Sequence, residues 1–127
     1  MRVVLAGLAM LLATPAVHAV DAAAGRAAFK RCANCHQVGP GARSHFGPQL
    51  NGIVGRRAGS APGFDYSPAM RRAGFTWDEQ RLAAFLRDPD AVVPGNRMRF
   101  WGMMSERQVG ELVAYLRSMP APAPTPK

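Results

Sequence analysis

The chain has 127 residues, with sixteen Lys and Arg against eight Asp and Glu, a formal charge of +8, and only two cysteines. That length suits one domain and leaves no comfortable room for two. The basic residues, nearly all arginine, are dispersed along the chain, which argues against a nucleic-acid-binding stripe. They leave two readings open: simple solubility, or a surface that meets an acidic partner or an anionic membrane face.

In chain order, residues 1–19 come first. Arg2 precedes an apolar run over 3–13, a helix-breaking Pro15 and the small-residue pattern Val17-His18-Ala19. This is the layout of a secretory signal peptide cut after Ala19. The apolar run falls short of the roughly 20 residues that span a bilayer, which favours cleavage over a retained anchor. The expected product is a periplasmic domain over 20–119. Losing Arg2 leaves fifteen basic residues against eight acidic ones, or +7.

Three main helices follow. The first is expected over 21–32, alanine-rich, with Gly25 and Phe29 four residues apart on one face. The second is expected from a capping box in which Thr76 caps and Glu79 answers, with Leu82, Phe85 and Leu86 at helical spacing and Pro89 as the stop. The third opens on the box Ser105 to Gln108, buries Val109, Leu112, Val113 and Leu116, and ends by Pro120. A short turn of helix is predicted over 68–73, capped by Ser67, begun by Pro68 and stopped by Gly74. Segments 37–66 and 88–104 are long, rich in Gly and Pro, and show no alternating strand pattern. Loops that long in a small domain need something large to pack against. Residues 120–127 are proline-rich and read as a disordered or extended tail.

The segment CANCH, residues 32–36, carries the chemistry. A disulfide between Cys32 and Cys35 closes too short a loop to remove much chain entropy. A zinc site needs a fourth donor, and adjacent Cys35 and His36 fit one tetrahedron poorly. A thioredoxin-type pair should follow a strand in a βαβ pattern, which is absent. In a c-type haem attachment site every residue has a role. The two thiols add across the vinyl groups, and His36 supplies an imidazole nitrogen to the iron.

For the sixth iron position the candidates are His45, a methionine, or an open site. Met98 stands out because it lies in a Pro-Gly loop, VPGNRMRFWG, and not on an apolar helix face. Met70, Met103, Met104 and Met119 lie on or beside predicted helices. His/Met ligation saturates the iron and raises its potential, which suits electron transfer; an open site suits gas sensing or oxygen chemistry.

CANCH, GPQLNGIVGRRAG, PGFDYSPAM, FTWDEQRLAAFLRDPDAVVPGNRMRFWGM and ELVAYLRSM together resemble a class I cytochrome c of the mitochondrial and bacterial cytochrome c2 type. The resemblance covers about residues 25–119, including the spacing from His36 to Met98. It implies an all-α cytochrome c fold: crossing terminal helices, three main helices, and long loops wrapped around one haem c held by Cys32 and Cys35. It implies His36 and Met98 as iron ligands and the Pro48 carbonyl as acceptor from the far nitrogen of His36. It also implies Arg56, Tyr66 and Trp77 at the haem propionates, Phe100 over the haem edge, and Gly25 and Phe29 packed on Leu112 and Tyr115.

The function so implied is one-electron exchange by a monomeric carrier that transforms nothing covalently. Its donor would be a bc1-type complex and its acceptor a terminal oxidase or a photosynthetic reaction centre. The competing readings are a haem-based gas sensor or haem enzyme with a labile sixth ligand, and a dedicated acceptor for one dehydrogenase. Two departures from the family stand at Phe85, where a tyrosine is usual, and Met70, where an asparagine is common. Asp90, Ala91, Met104, Ser105 and Glu106 occupy places where relatives carry a lysine ring, while Arg97 and Arg99 keep some positive charge.

Overall fold

The computed structural model describes residues 22–123. The expected signal peptide, the first residue of the expected first helix and the end of the tail at 124–127 lie outside them. Among the described residues five helices run in order: α1 Ala22–Phe29, α2 Pro68–Arg72, α3 Glu79–Arg87, α4 Pro89–Val92 and α5 Glu106–Arg117. Among the described residues, extended pairing is confined to an isolated antiparallel bridge between Arg57 and Thr76.

α1 is shorter than its sequence suggests. Beyond Phe29 the chain tightens into i→i+3 bonds, with Lys30, Arg31 and Cys32 N–H donating to the carbonyls of Ala27, Ala28 and Phe29. Such bonds close a helix end without continuing it. α3 starts later than the Thr76 box predicts. Thr76 is committed to the bridge with Arg57, and Trp77 N–H donates to Arg56 O at 2.9 Å, so the backbone there is extended. Asp78 caps instead, its carboxylate accepting from Arg81 N–H at 2.6 Å. α4 is a helix the sequence reading left as loop. Asp88 ends α3 and caps α4 at once, accepting from Ala91 N–H at 3.1 Å, and Pro89 takes the first position, where its missing N–H costs nothing.

The other predicted ends hold. Ser67 caps α2 with Pro68 next, and Ser105 and Gln108 form a reciprocal capping box on α5. α5 buries Val109, Leu112, Val113 and Leu116; α3 buries Leu82, Phe85 and Leu86. These stripes meet Ala28, Phe29, Cys32, Ile53 and Trp77 in one core. Trp77 sits between Phe75 and Phe85, with ring centroids at 4.8 and 5.0 Å in edge-on geometry. Past α5, Met119 O accepts from Gly52 N–H at 3.0 Å, and Ala121 packs on Gly52.

α1 and α5 cross at Gly25. A Cβ there would lie 2.5 Å from Tyr115 Cβ and 2.6 Å from Glu111 O, so a side chain would have to part the helices. Phe29 meets the Tyr115 ring one turn on, at 5.8 Å between centroids. Gly110, also on α5, faces open space. Gly25→Val should therefore cost about 1–3 kcal/mol or more by overpacking, whereas Gly110→Ala should add about 0.5–1 kcal/mol of helix stability. Denaturant unfolding of the two variants checks the contrast, and equal effects at both positions would refute it.

Candidate functional site

The CANCH segment closes a single turn. Cys32 O accepts from both Cys35 N–H, at 3.0 Å, and His36 N–H, at 2.8 Å. That spacing sets Cys32 and His36 one turn apart on the same side. Both cysteines are free, Cys32 buried and Cys35 exposed. Burial pushes the Cys32 thiol up to about 11. A thiol–disulfide exchange pair needs the opposite shift, toward thiolate. Among the described residues, no group of three or more His, Cys, Asp and Glu side chains converges to hold a metal ion.

His36 is fixed from behind. Its Nδ1–H donates to Pro48 O at 2.8 Å, which leaves the Nε2 lone pair free. Burial lowers the proton affinity of the ring, and the Arg56 charge lowers it further, against the pull of the Pro48 carbonyl. The imidazole is therefore neutral near pH 7, the form that can ligate. Gly47, buried, lies flat against the ring. A Cβ there would fall 2.6 Å from Nδ1 and 2.8 Å from Nε2. Gly47 N–H donates to Cys35 O and Gly47 O accepts from His45 N–H, both at 2.8 Å, so this loop is stitched to the cysteine turn. The sequence reading missed Gly47, whose only signal was its place just before Pro48. His45 itself is exposed and stacks on Phe46.

Met98 is half-buried and packs against the core that contains Cys32. Its backbone is held by a neighbour that the sequence reading did not single out. Asn96 is buried, and its Oδ1 accepts from Met98 N–H at 2.8 Å. Its Nδ2 donates to Asp90 Oδ1 at 2.9 Å and Val93 O at 3.0 Å. One amide thereby clamps the methionine loop to the end of α4. Arg31, beside Cys32, donates to Met103 O and so links the cysteine turn to the same loop. Arg97 reaches Asp65, which also pairs with Arg71 at 2.9 Å. The two guanidiniums hold the Asp65 carboxyl below its usual range.

Arg56, Tyr66 and Trp77 come from neighbouring segments. Arg56 is half-buried and donates to Gln49 O at 2.8 Å and Asn51 O at 3.4 Å, bracing the chain just after Pro48. Burial lowers its pKa and the Tyr66 hydroxyl partly restores it. Tyr66 is buried and accepts from Ala61 N–H at 3.1 Å, so its own O–H remains available as a donor. Trp77 is buried by its ring, while its indole N–H makes no hydrogen bond among the described residues. It is not sealed in, since no fully enclosed side-chain polar atom there lacks a partner. Phe100, half-buried, lines a cavity of about 270 Å3 together with Met98, Pro89 and Arg99.

The sequence model of the Cytochrome c family matches residues 22–120. The chain belongs to the cytochrome c family. It is 43% identical to cytochrome c2 of Blastochloris viridis over 122 residues, covering 95% of this chain and 96% of that one. It is 48% identical to cytochrome c2 of Agrobacterium tumefaciens over 99 residues, covering 76% of this chain and 89% of that one. Among solved structures, cytochrome c2 of Rhodospirillum centenum superposes with a TM-score of 0.74 at 35% identity, covering 80% of this chain and 99% of that one. Cytochrome cH of Methylobacterium extorquens gives 0.71 at 40% identity, covering 77% and 98%.

Membership implies a covalently attached haem c, and the residues fit that group. Two unpaired cysteines stand at the required spacing, followed by a neutral histidine whose outer nitrogen is tied to a carbonyl and whose inner one is free. Two structural effects should be measurable here. Asn96→Ala leaves the Met98 N–H without its acceptor and should cost about 1–3 kcal/mol, with faster hydrogen exchange at Met98 and little change at α5; unaltered exchange there would sink the clamp. Gly47→Ala should displace the His36 ring and weaken the Nδ1 bond, read as a changed His36 ring resonance.

Proposed function

We propose that the chain is a haem c electron carrier in which His36 and Met98 would ligate the iron, exported to the periplasm by a signal peptide over 1–19 and folded over 20–119. The observation that carries this reading is the His36 ring: neutral, fixed by Pro48 and Gly47, and one turn from a free Cys32. Bound haem c supplies an iron that alternates between the ferric and ferrous states. The chain's own residues do the rest. Pro48 and Gly47 hold the imidazole in one orientation in both states. Asn96 keeps Met98 in reach, and restraint on both ligands limits rearrangement between the states. Arg56, Tyr66 and Trp77 offer a charge and two donors to the propionates. Phe100, beside Met98 in the same cavity wall, would cover the haem edge.

No reactant has to be transformed, so the chain is a carrier and not an enzyme. It works with redox partners; by family, the donor is a bc1-type complex and the acceptor a terminal oxidase or a reaction centre. Among the described residues no helix is long and apolar enough to cross a membrane.

Mass spectrometry of the periplasmic product should give the chain from Val20 plus one haem. A haem-free product with a Cys32–Cys35 disulfide would refute the reading. The ferric protein should show a methionine–iron charge-transfer band that disappears in Met98→Ala, and rapid carbon monoxide binding by the reduced native protein would instead indicate a labile sixth site. Phe85 is buried against Trp77, and a dry, apolar surround disfavours the extra charge of ferric iron. Phe85→Tyr should therefore lower the midpoint in a redox titration; an unchanged midpoint would count against any tuning by this residue.

A further inference from the structure

The backbone around Met98 makes few bonds of its own. Among the described residues, the only hydrogen bond to the backbone of residues 97–101 is the one that Asn96 Oδ1 accepts from Met98 N–H, at 2.8 Å. Asn96 is set in turn by the bend that leaves α4. Its N–H donates to Val93 O at 3.0 Å, Pro94 takes the first central position, and Gly95 has the φ of 85° that a type II turn requires at the second. This turn fixes where the Asn96 side chain starts. It does not fix which end of the amide faces Met98.

A buried amide has two orientations that fill the same space. In the one observed, Nδ2 donates to Asp90 Oδ1 at 2.9 Å and to Val93 O at 3.0 Å, and Oδ1 faces the Met98 N–H. Turned over, the NH2 group would oppose the Met98 N–H, and the oxygen would oppose a carboxylate and a carbonyl. All three bonds would be lost. The two acceptors on Nδ2 are not equal. Val93 O is shared, because it already accepts from the Asn96 N–H. The bond to the Asp90 carboxylate is charge-assisted, the stronger kind, and the same carboxylate repels an oxygen put in the place of Nδ2. Asp90 makes no ion pair among the described residues. It lies in the first turn of α4, outside the loop it acts on.

We propose that Asp90 is a positioning residue for Met98. Its carboxylate holds the Asn96 amide in the orientation that accepts from the Met98 N–H, and so keeps the sixth iron position closed to small external ligands. This rests on the His36 and Met98 reading above and assigns the group that decides between a closed site and a labile one. Asp90 makes no hydrogen bond to Met98 itself and acts only through Asn96.

The test uses the haem-loaded ferric protein, with imidazole as the external ligand and the methionine–iron band as the signal. Asp90→Ala should speed displacement of Met98 by imidazole about fivefold or more, short of the full effect of losing a bond to a charged group because the carboxylate is exposed. Asp90→Asn, which still offers an oxygen to Nδ2, should recover most of the difference. Hydrogen exchange at the Met98 amide should quicken in the same order, with no change at Leu112. Combined with Asn96→Ala, Asp90→Ala should alter the imidazole rate by less than about twofold, since the path between them is gone. An effect of charge alone, or of α4 stability, would persist in that combination. If Asp90→Ala loads no haem, Asp90→Leu, which keeps the bulk and accepts nothing, decides in its place. Unaltered imidazole rate and Met98 exchange in the deciding variant, or a full effect that survives Asn96→Ala, would overturn the proposal alone. A native ferric protein without the methionine–iron band would refute the Met98 ligation and the proposal together.

Discussion

At Gly25 the backbone of α1 comes within van der Waals contact of Tyr115 and Glu111 on α5, and the rest of the molecule is arranged from that crossing. Helices approach this closely only where one of them has no Cβ to separate the axes. The contact joins residues near the two ends of the folded chain, and a pairing so distant in sequence carries a loop-closure cost. Burial of Phe29, Leu112 and Leu116 around the crossing offsets it. Because the cysteine turn leaves directly from α1, the crossing also decides where Cys32 and His36 stand.

Away from the helices, turn bonds and a few side chains do what a sheet would otherwise do. Gly47, Pro48 and Gln49 are stitched to the cysteine turn and to Arg56; Asn96 ties Met98 to α4; Arg31 joins the cysteine turn to the methionine loop. Buried backbone groups must find partners, and in the long loops between α1 and α2 and between α4 and α5 those partners are backbone groups of nearby turns together with single amides, guanidiniums and a ring nitrogen. The cysteine turn and the methionine loop therefore depend on a few bonds each, apart from those that hold the α1–α5 crossing.

Charge is distributed on a similar plan. Asp65 draws in both Arg71 and Arg97, and Glu106 takes up Arg87, while Arg31 and Arg99 make no ion pair among the described residues. These pairs are exposed and individually weak. What they do is tie neighbouring loops and helix ends together: Asp65 to Arg71 and Arg97, and the start of α5 to the end of α3.

Much was legible in the amino-acid sequence because it is local. CANCH, the Ser105–Gln108 box, the Ser67-Pro68 start of α2 and the buried stripes of α3 and α5 all depend on residues within one or two turns of each other, where spacing alone decides which side chains meet. The bond between His36 and Pro48 was readable only through family resemblance, since nothing local places a residue twelve positions away at the imidazole. Thr76 was misread as a cap because its extended conformation comes from pairing with Arg57, and α4 was missed because Asp88 serves two helices at once. Gly47 against the His36 ring was signalled only by its place before Pro48, and Asn96 as the clamp on Met98 and Arg31 reaching across to Met103 had no signature at all. The sequence by itself determined the chemistry the chain can do, because reactive groups and their short-range spacing are written residue by residue. Only the tertiary structure decided which small residues make room, which amides hold the loops and which apolar side chains stay in water, because those depend on atoms far apart in the chain arriving at the same place.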